Sequence, residues 1–400
     1  MALYTKRKHV WKVMLGLLVF TLPLILKGSR ALTHDYQSGP IVLKNTPGFG
    51  EETDWKTQFY HSFCDITVAP DGSIFIASSR QHSIFKFDAK GSLIKSFGQK
   101  GQGPGDFDVP SNISILDGKY LVVGEYALNR RISLFDLDGN FVKLLKTDHS
   151  VFSPTALRDG KVAYIDISHR DEDSRHPVMI QTVFIKDIIS QEEIKVCTYK
   201  TRNPSIRMKS GGGFSFGDME GWTILTRTKE GNLAVGFSME PLLTLFSPEG
   251  QKLTTFSLKG EPVRVTKSII RRFKETQIKD MKQDSRFKQG VGKQWLKELE
   301  KASFDHLFED YLPRYREILT DEEGYFLVFR REDCFDNCPI WIDVYSPAGK
   351  YVCETQIKTG EYKLIAERRP EHMYFTKNCL FALVQPKDSD EFQLKLIKVI

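Results

Sequence analysis

Apolar and polar positions alternate along most of this chain in short runs bounded by glycine turns, and the runs recur as a unit. The clearest copies are VAPDGSIFIASSRQHSIFKFDAKGSLIKSFG (68–98) and SILDGKYLVVGEYALNRRISLFDLDGNFVKLL (114–145). Each contains a short apolar strand, an Asp-Gly turn, a β-rich strand, a polar gap, a third strand and an aromatic-Asp-x-x-Gly turn. Period-two alternation between glycine-containing turns predicts strands rather than helices. A period of roughly 40 to 50 residues marks a repeat architecture in which no unit buries its own hydrophobic face. The pattern predicts an all-β fold, a β-propeller.

Five units read as four-stranded blades: 63–97, 111–146, 154–199, 221–258 and 315–358. A sixth unit supplies only three strands, at 372–377, 380–385 and 392–400. The isolated apolar stretch 41–45 (IVLKN) has no hairpin partner nearby. It is expected to pair with the final strand and close a six-bladed ring over 41–400, removing the open edges that invite aggregation. In such a ring the acidic-Gly turns lie at one end. The second-to-third loops and blade-to-blade connections lie at the other, where every long or charged segment of this chain falls.

The largest departure from the repeat is 266–312. Ile269, Ile270 and Phe273, then Trp295, Leu296 and Leu299, then Phe304, Leu307, Phe308 and Tyr311 stand at helical spacing. They predict a helical insert whose two helices break at Gly290-Val291-Gly292, replacing a blade-to-blade connection and partly covering the variable end. KSGGGFSFG (209–217) reads as a flexible connection or a cover for the channel.

Nine lysines and arginines face three acids between 267 and 293, so this stretch alone carries the chain's formal charge of +6. Such local charge argues against a nucleic-acid footprint. A basic start (Lys6, Arg7, Lys8, His9, Lys12) precedes an apolar run over 13–26, so 1–31 reads as an export signal or an uncleaved membrane anchor. The basic flank would stay on the cytoplasmic side, placing the propeller outside, in the periplasm or extracellular space. Six cysteines in 400 residues are too few for a disulfide scaffold. Only Cys334 and Cys338 are close in sequence, and in an exported protein they are a disulfide candidate.

FGQKGQGPGDF (97–107) joins the first two blades. It lacks the G-K-[ST] ending of a phosphate loop and leads into a strand, so Gly101, Gly103 and Gly105 are expected to supply positive φ, with Pro104 stiffening the crossover and Phe107 ending it. Together with the DG…IFKFD-x-x-G pattern, this segment resembles the NHL-related six-bladed β-propeller proteins of bacteria. The resemblance spans 65–145, and many such proteins are exported and without assigned activity. Similar propellers include peptide-amidating lyases with metal-binding histidines and Ca²⁺-dependent lactonases. Here Pro110 is followed by Ser111 rather than His, so the resemblance carries over no metal site and implies no cofactor. Neither a G-x-S-x-G elbow nor an H-E-x-x-H helix occurs.

The sequence therefore points to a monomeric, exported or membrane-anchored binding module. Its partner would be a protein or an anionic small molecule, met by Arg80, His82, Tyr126, Arg130, His169, Arg170 and Arg331 on the loops of the variable end. A propeller lyase or hydrolase with its site at the channel mouth is the alternative.

Overall fold

The computed structural model describes residues 36–50, 64–125, 130–170, 178–203, 205–211, 213–215, 221–283, 287–332, 339–364, 373–376, 379–387 and 395–399. Its sheets are six propeller blades and one small hairpin. Blade one comprises Cys64–Val68, Ile74–Ser78, Ser83–Phe87 and Leu93–Phe97; blade two, Pro110–Leu116, Tyr120–Glu125, Arg131–Asp136 and Phe141–Lys146. Blade three comprises Phe152–Ala156, Lys161–Arg170, Val178–Asp187 and Glu193–Arg202; blade four, Thr223–Arg227, Leu233–Phe237, Leu242–Phe246 and Lys252–Ser257. Blade five comprises Tyr315–Thr320, Phe326–Arg330, Ile340–Tyr345 and Tyr351–Lys358. Blade six has Met373–Phe375, Leu380–Pro386 and Lys395–Val399, with Tyr362–Leu364 paired to the far end of its second strand, an addition the sequence pattern did not reveal.

Sequence and position match strand by strand. The second strand of blade one, IFIAS, is buried throughout, whereas its outer strand LIKSF is exposed along most of its length. A strand covered on both faces reads as a continuous apolar run, and a strand at the rim does not. Buried apolar side chains accordingly fall into six clusters, one between each pair of neighbouring blades, and a seventh in the insert. In the third-to-fourth turns of blades two and five a glycine lets the outer strand of the preceding blade approach. A Cβ on Gly139 would stand 2.6 Å from the Phe97 ring, and one on Gly349 would stand 2.4 Å from the Phe256 ring, both rings belonging to the preceding blade's outer strand. The positive φ of 76° and 74° at these glycines fits the same requirement.

The ring does not close as expected. Ile41–Val42 lies parallel to the outer strand of blade five, with Ile41 opposite Ile357 and Val42 opposite Lys358, rather than along the final strand. Burial explains the choice: Ile41 and Leu43 enter the cluster between blades five and six, while Val42, between them, points out. The final strand instead receives the residues that follow. Lys398 O accepts from Thr46 N at 2.8 Å and Thr46 Oγ1 at 2.7 Å, and Lys398 N donates to Asn45 Oδ1 at 3.1 Å. Phe49 then packs on Phe381 of blade six with ring centroids 5.8 Å apart, and Gly50 N donates to Lys90 O of blade one at 2.9 Å. A Cβ on Gly91 would meet Phe49 at 2.9 Å, the relation Gly139 has to Phe97. Residues 45–50 thus stand where a fourth strand of blade six would run, and 36–50 form a strap across blades five, six and one.

The insert has two helices, α1 (Lys267–Gln283) and α2 (Gly290–Lys301). The break precedes its expected place: Gly290, at φ 59°, opens α2, and Val291 and Gly292 lie within it. Phe304, Leu307 and Phe308 are not helical continuations. They sit on and around a short 3₁₀ turn, Asp305–Leu307, folded back against Phe273 of α1. The connection from blade three to blade four is described at 205–211 and 213–215, and residues 212, 216 and 217 of KSGGGFSFG lie outside the described residues. Ser205–Arg207 and Gly213–Ser215 form a hairpin, and Ile206 and Met208 join the insert's own core.

Candidate functional site

FGQKGQGPGDF is a packed crossover rather than an anion cradle. Phe107 is buried against Phe135, centroids 5.5 Å apart. Gly105 has the positive φ expected of it, at 83°, but Gly101 and Gly103 do not. What those two positions need is room for the Asp106 carboxylate, which would lie 2.5 Å and 2.9 Å from a Cβ there. Beneath the loop lies a buried ion pair absent from the sequence reading. Arg131 Nε donates to Glu125 Oε1 at 2.5 Å, and its two terminal nitrogens donate to Gln102 O (3.0 Å) and Asp106 O (3.1 Å). Glu125 Oε2 accepts from Asp108 N at 2.6 Å. His82 Nδ1 donates to Asp108 O, tying the second-to-third turn of blade one to the same crossover.

The described members of the expected ligand set all lie at one end of the ring. Arg80 and His82 share that turn of blade one; Arg130, exposed and at φ 37°, precedes the third strand of blade two. His169 and Arg170 end the second strand of blade three, opposite Met179 and Val178. Arg331 follows the second strand of blade five, is buried, and donates its backbone N–H to Arg314 O at 3.0 Å. Tyr126, Cys334 and Cys338 lie outside the described residues, as does 1–31. The insert roots at this end too: Arg202, the last residue of blade three's outer strand, donates from Nη1 to Phe308 O at 3.1 Å and pairs with Glu309 at 3.3 Å. In the connection from blade two to blade three, the His149 ring stacks on Phe184 and stands 3.6 Å from Asp166 and 3.5 Å from Glu193, the first residue of blade three's outer strand.

The inner strands of all six blades enclose a channel of about 550 Å³. Three of the carboxylates along it are held by the chain's own donors. Asp65 accepts from Ile66 N (2.8 Å) and from Ile113 N of blade two (2.7 Å). Glu317 accepts from Ile318 N at 3.0 Å. Asp321 accepts from Tyr36 Oη (2.6 Å) and from the N–H groups of Glu323 and Tyr325; burial nonetheless raises its pKa above the usual carboxylate range. Arg227, the last residue of blade four's inner strand, reaches across to Ile115 O of blade two at 3.4 Å. Burial pushes the Tyr374 phenol in the same wall up to about 12, with the Glu322 charge adding and Arg227 opposing. Among the described residues no three His, Cys, Asp or Glu side chains come together as metal ligands, and no helix is long and apolar enough to cross a membrane.

The DUF5128 family model, described as a 6-bladed beta-propeller, matches residues 65–207, a stretch that contains the one carrying the NHL-like resemblance. No curated protein matches the sequence. Among solved structures, a member of the DUF4221 family from Bacteroides vulgatus aligns over 90% of this chain and 94% of its own at 12% identity, with a TM-score of 0.52. A Bacteroides fragilis protein described as a candidate exported protein aligns over 86% and 91% at 12% identity, TM-score 0.45. A streptogramin B lyase aligns over 84% and 78% at 10% identity, TM-score 0.37. The chain is a six-bladed β-propeller, and these likenesses concern the fold alone.

Proposed function

We propose that this chain is an exported or membrane-anchored binding module, held by its N-terminal segment when that segment is uncleaved. It takes a protein or an anionic small molecule at the end of the ring that carries the insert. The observation behind this reading is the insert's construction. Ile269, Phe273, Leu299, Phe304, Leu307 and Phe308 form a buried core of their own, shared with the hairpin after blade three rather than with the blades. Closing the ring needs no such element, and structured additions on a rigid scaffold are where function concentrates. Arg80, Arg130 and the basic outer face of α1 would supply the positive charge; His82 and Arg331 would hold the loops in place. Export follows from the basic and apolar grammar of 1–31.

Replacing 266–312 by a short Gly-Ser linker tests the reading. The ring should keep its far-ultraviolet dichroism, while cross-linking in intact cells should no longer recover the proteins captured by the unaltered chain. Unchanged recovery would remove the insert from the binding site. An alkaline phosphatase fusion after residue 50 should be active; an inactive, stably expressed fusion would overturn export.

A further inference from the structure

The channel holds a second candidate site, at the opposite end from the insert. Its acids and its arginine differ in how they are satisfied. Asp65, Glu317 and Asp321 each accept at least one backbone N–H, and Glu322 is partnered as well. Arg227 has five N–H donors, yet among the described residues its guanidinium makes one hydrogen bond, the 3.4 Å contact to Ile115 O. The side chain is half-buried in the wall of a 550 Å³ channel. That volume lies within the range of small-molecule sites, about 300 to 1,000 Å³, and such sites are built from a few convergent polar groups. Beside Arg227 the wall carries the Thr226 hydroxyl, shared with Thr320 at 2.9 Å, and, at the rim beyond it, Lys229, 3.8 Å from Glu323.

From this geometry we infer that the acidic-Gly-turn end of the channel binds a small oxyanion ligand, a carboxylate or a phosphate monoester, gripped by the Arg227 fork. A planar guanidinium with donors to spare matches such a group in two parallel bonds, which a lysine cannot do. Hydrogen bonds from neutral N–H groups leave the charge of a carboxylate in place, so the acids along the channel disfavour an anion anywhere but at the fork. They also restrict the site to compact ligands that place one anionic group at the fork.

The test uses the full-length protein and two probes, inorganic phosphate and succinate, titrated calorimetrically at constant ionic strength. Saturable binding of at least one is expected, and which probe binds distinguishes phosphate from carboxylate. Arg227→Gln should weaken it about tenfold or more, and Arg227→Lys should recover only part of the loss. Phenylglyoxal labelling of the unaltered protein, mapped by peptide mass spectrometry, should show Arg227 protected by the bound probe, which keeps the test decisive if a variant folds poorly. Saturable binding of neither probe, equal affinity in R227Q, or no protection of Arg227 would overturn the site. The linker variant lacking 266–312 should bind the probe unchanged, so failure of the insert reading and failure of this one are distinguishable.

Discussion

Arg131 does its work by neutralising Glu125 and donating to two loop carbonyls, so removing it leaves a carboxylate in a site closed to water. Breaking one side of a buried pair costs about 3 to 5 kcal/mol. Arg131→Met should lower stability by that order, read as a shift in the denaturant midpoint, while Arg80→Met, on the exposed turn nearby, should change little. A milder pair sets a pH dependence. The Lys161 ammonium, 2.8 Å from Asp187, holds that carboxyl down at about 2, with the N–H groups of Ile189 and Ser190 helping. A depressed acid stabilises the fold above its unfolded value, near 4, and that contribution disappears as pH falls through about 2. Solvent exposure keeps it within about 1 kcal/mol. Lys161→Met should lower stability at pH 7 by up to about 1 kcal/mol and flatten the profile between pH 4 and 2, where the two proteins converge. The glycines of 97–107 were legible in the sequence as a crossover, but the reason expected for them, a positive φ, holds at Gly105 and not at Gly101 or Gly103, which make room for the Asp106 carboxylate. Turn glycines announce themselves by composition, and Phe107 by closing the motif, whereas Arg131 acts from a position with no local signature.

At the scale of elements, the pattern revealed most where repetition made it redundant. Asp-Gly and x-x-Gly turns bracket each strand of blades one and two, so their boundaries follow to within a residue or two. The strand at Tyr362–Leu364 and the hairpin at Ser205–Arg207 and Gly213–Ser215 are three residues per strand, too short for alternation to register. Helix α2 begins at Gly290 because the apolar stripe of Trp295, Leu296 and Leu299 outweighs two weak helix formers in its first turn. The third-to-fourth turns make a sharper prediction. Gly349 combines a left-handed φ with a Cβ position 2.4 Å from Phe256, so Gly349→Ala meets both backbone strain and a clash. Each of these costs on the order of 1 to 3 kcal/mol. Gly260→Ala, with φ 107° and nothing within 4 Å, meets the strain alone and should lose less. Equal losses in thermal unfolding would mean that the blade-to-blade fit at Phe256 yields freely.

For the molecule as a whole, the seam between the last blade and the first is the place where the fold can fail. Five blade junctions are made by consecutive units with a complete outer strand, whereas blade six ends after its third strand. The sequence showed that a strand was missing and that 41–45 was spare. It could not show the division of labour, because Ile41 and Leu43 fit an apolar gap on either side of the final strand equally well by pattern. In the structure they fill blade five's side, and Asn45 to Gly50 bridge onward to Lys398 and Lys90. Ile41, Leu43 and Phe49 are each at least 95% buried. At about 1.5 to 3 kcal/mol per fully buried side chain, their loss approaches the entire stability of an ordinary domain, roughly 5 to 15 kcal/mol. A chain beginning at Thr53 should therefore unfold at a much lower denaturant concentration than the full protein, and should aggregate through the uncovered edges of blades five and six. Adding back a synthetic peptide of 36–50 in excess should recover part of the midpoint, since binding to the folded ring alone shifts the equilibrium by mass action. If the shortened chain instead unfolds at the same midpoint as the full one, blade one must seal against blade six without help, and the strap is an attachment rather than the closure.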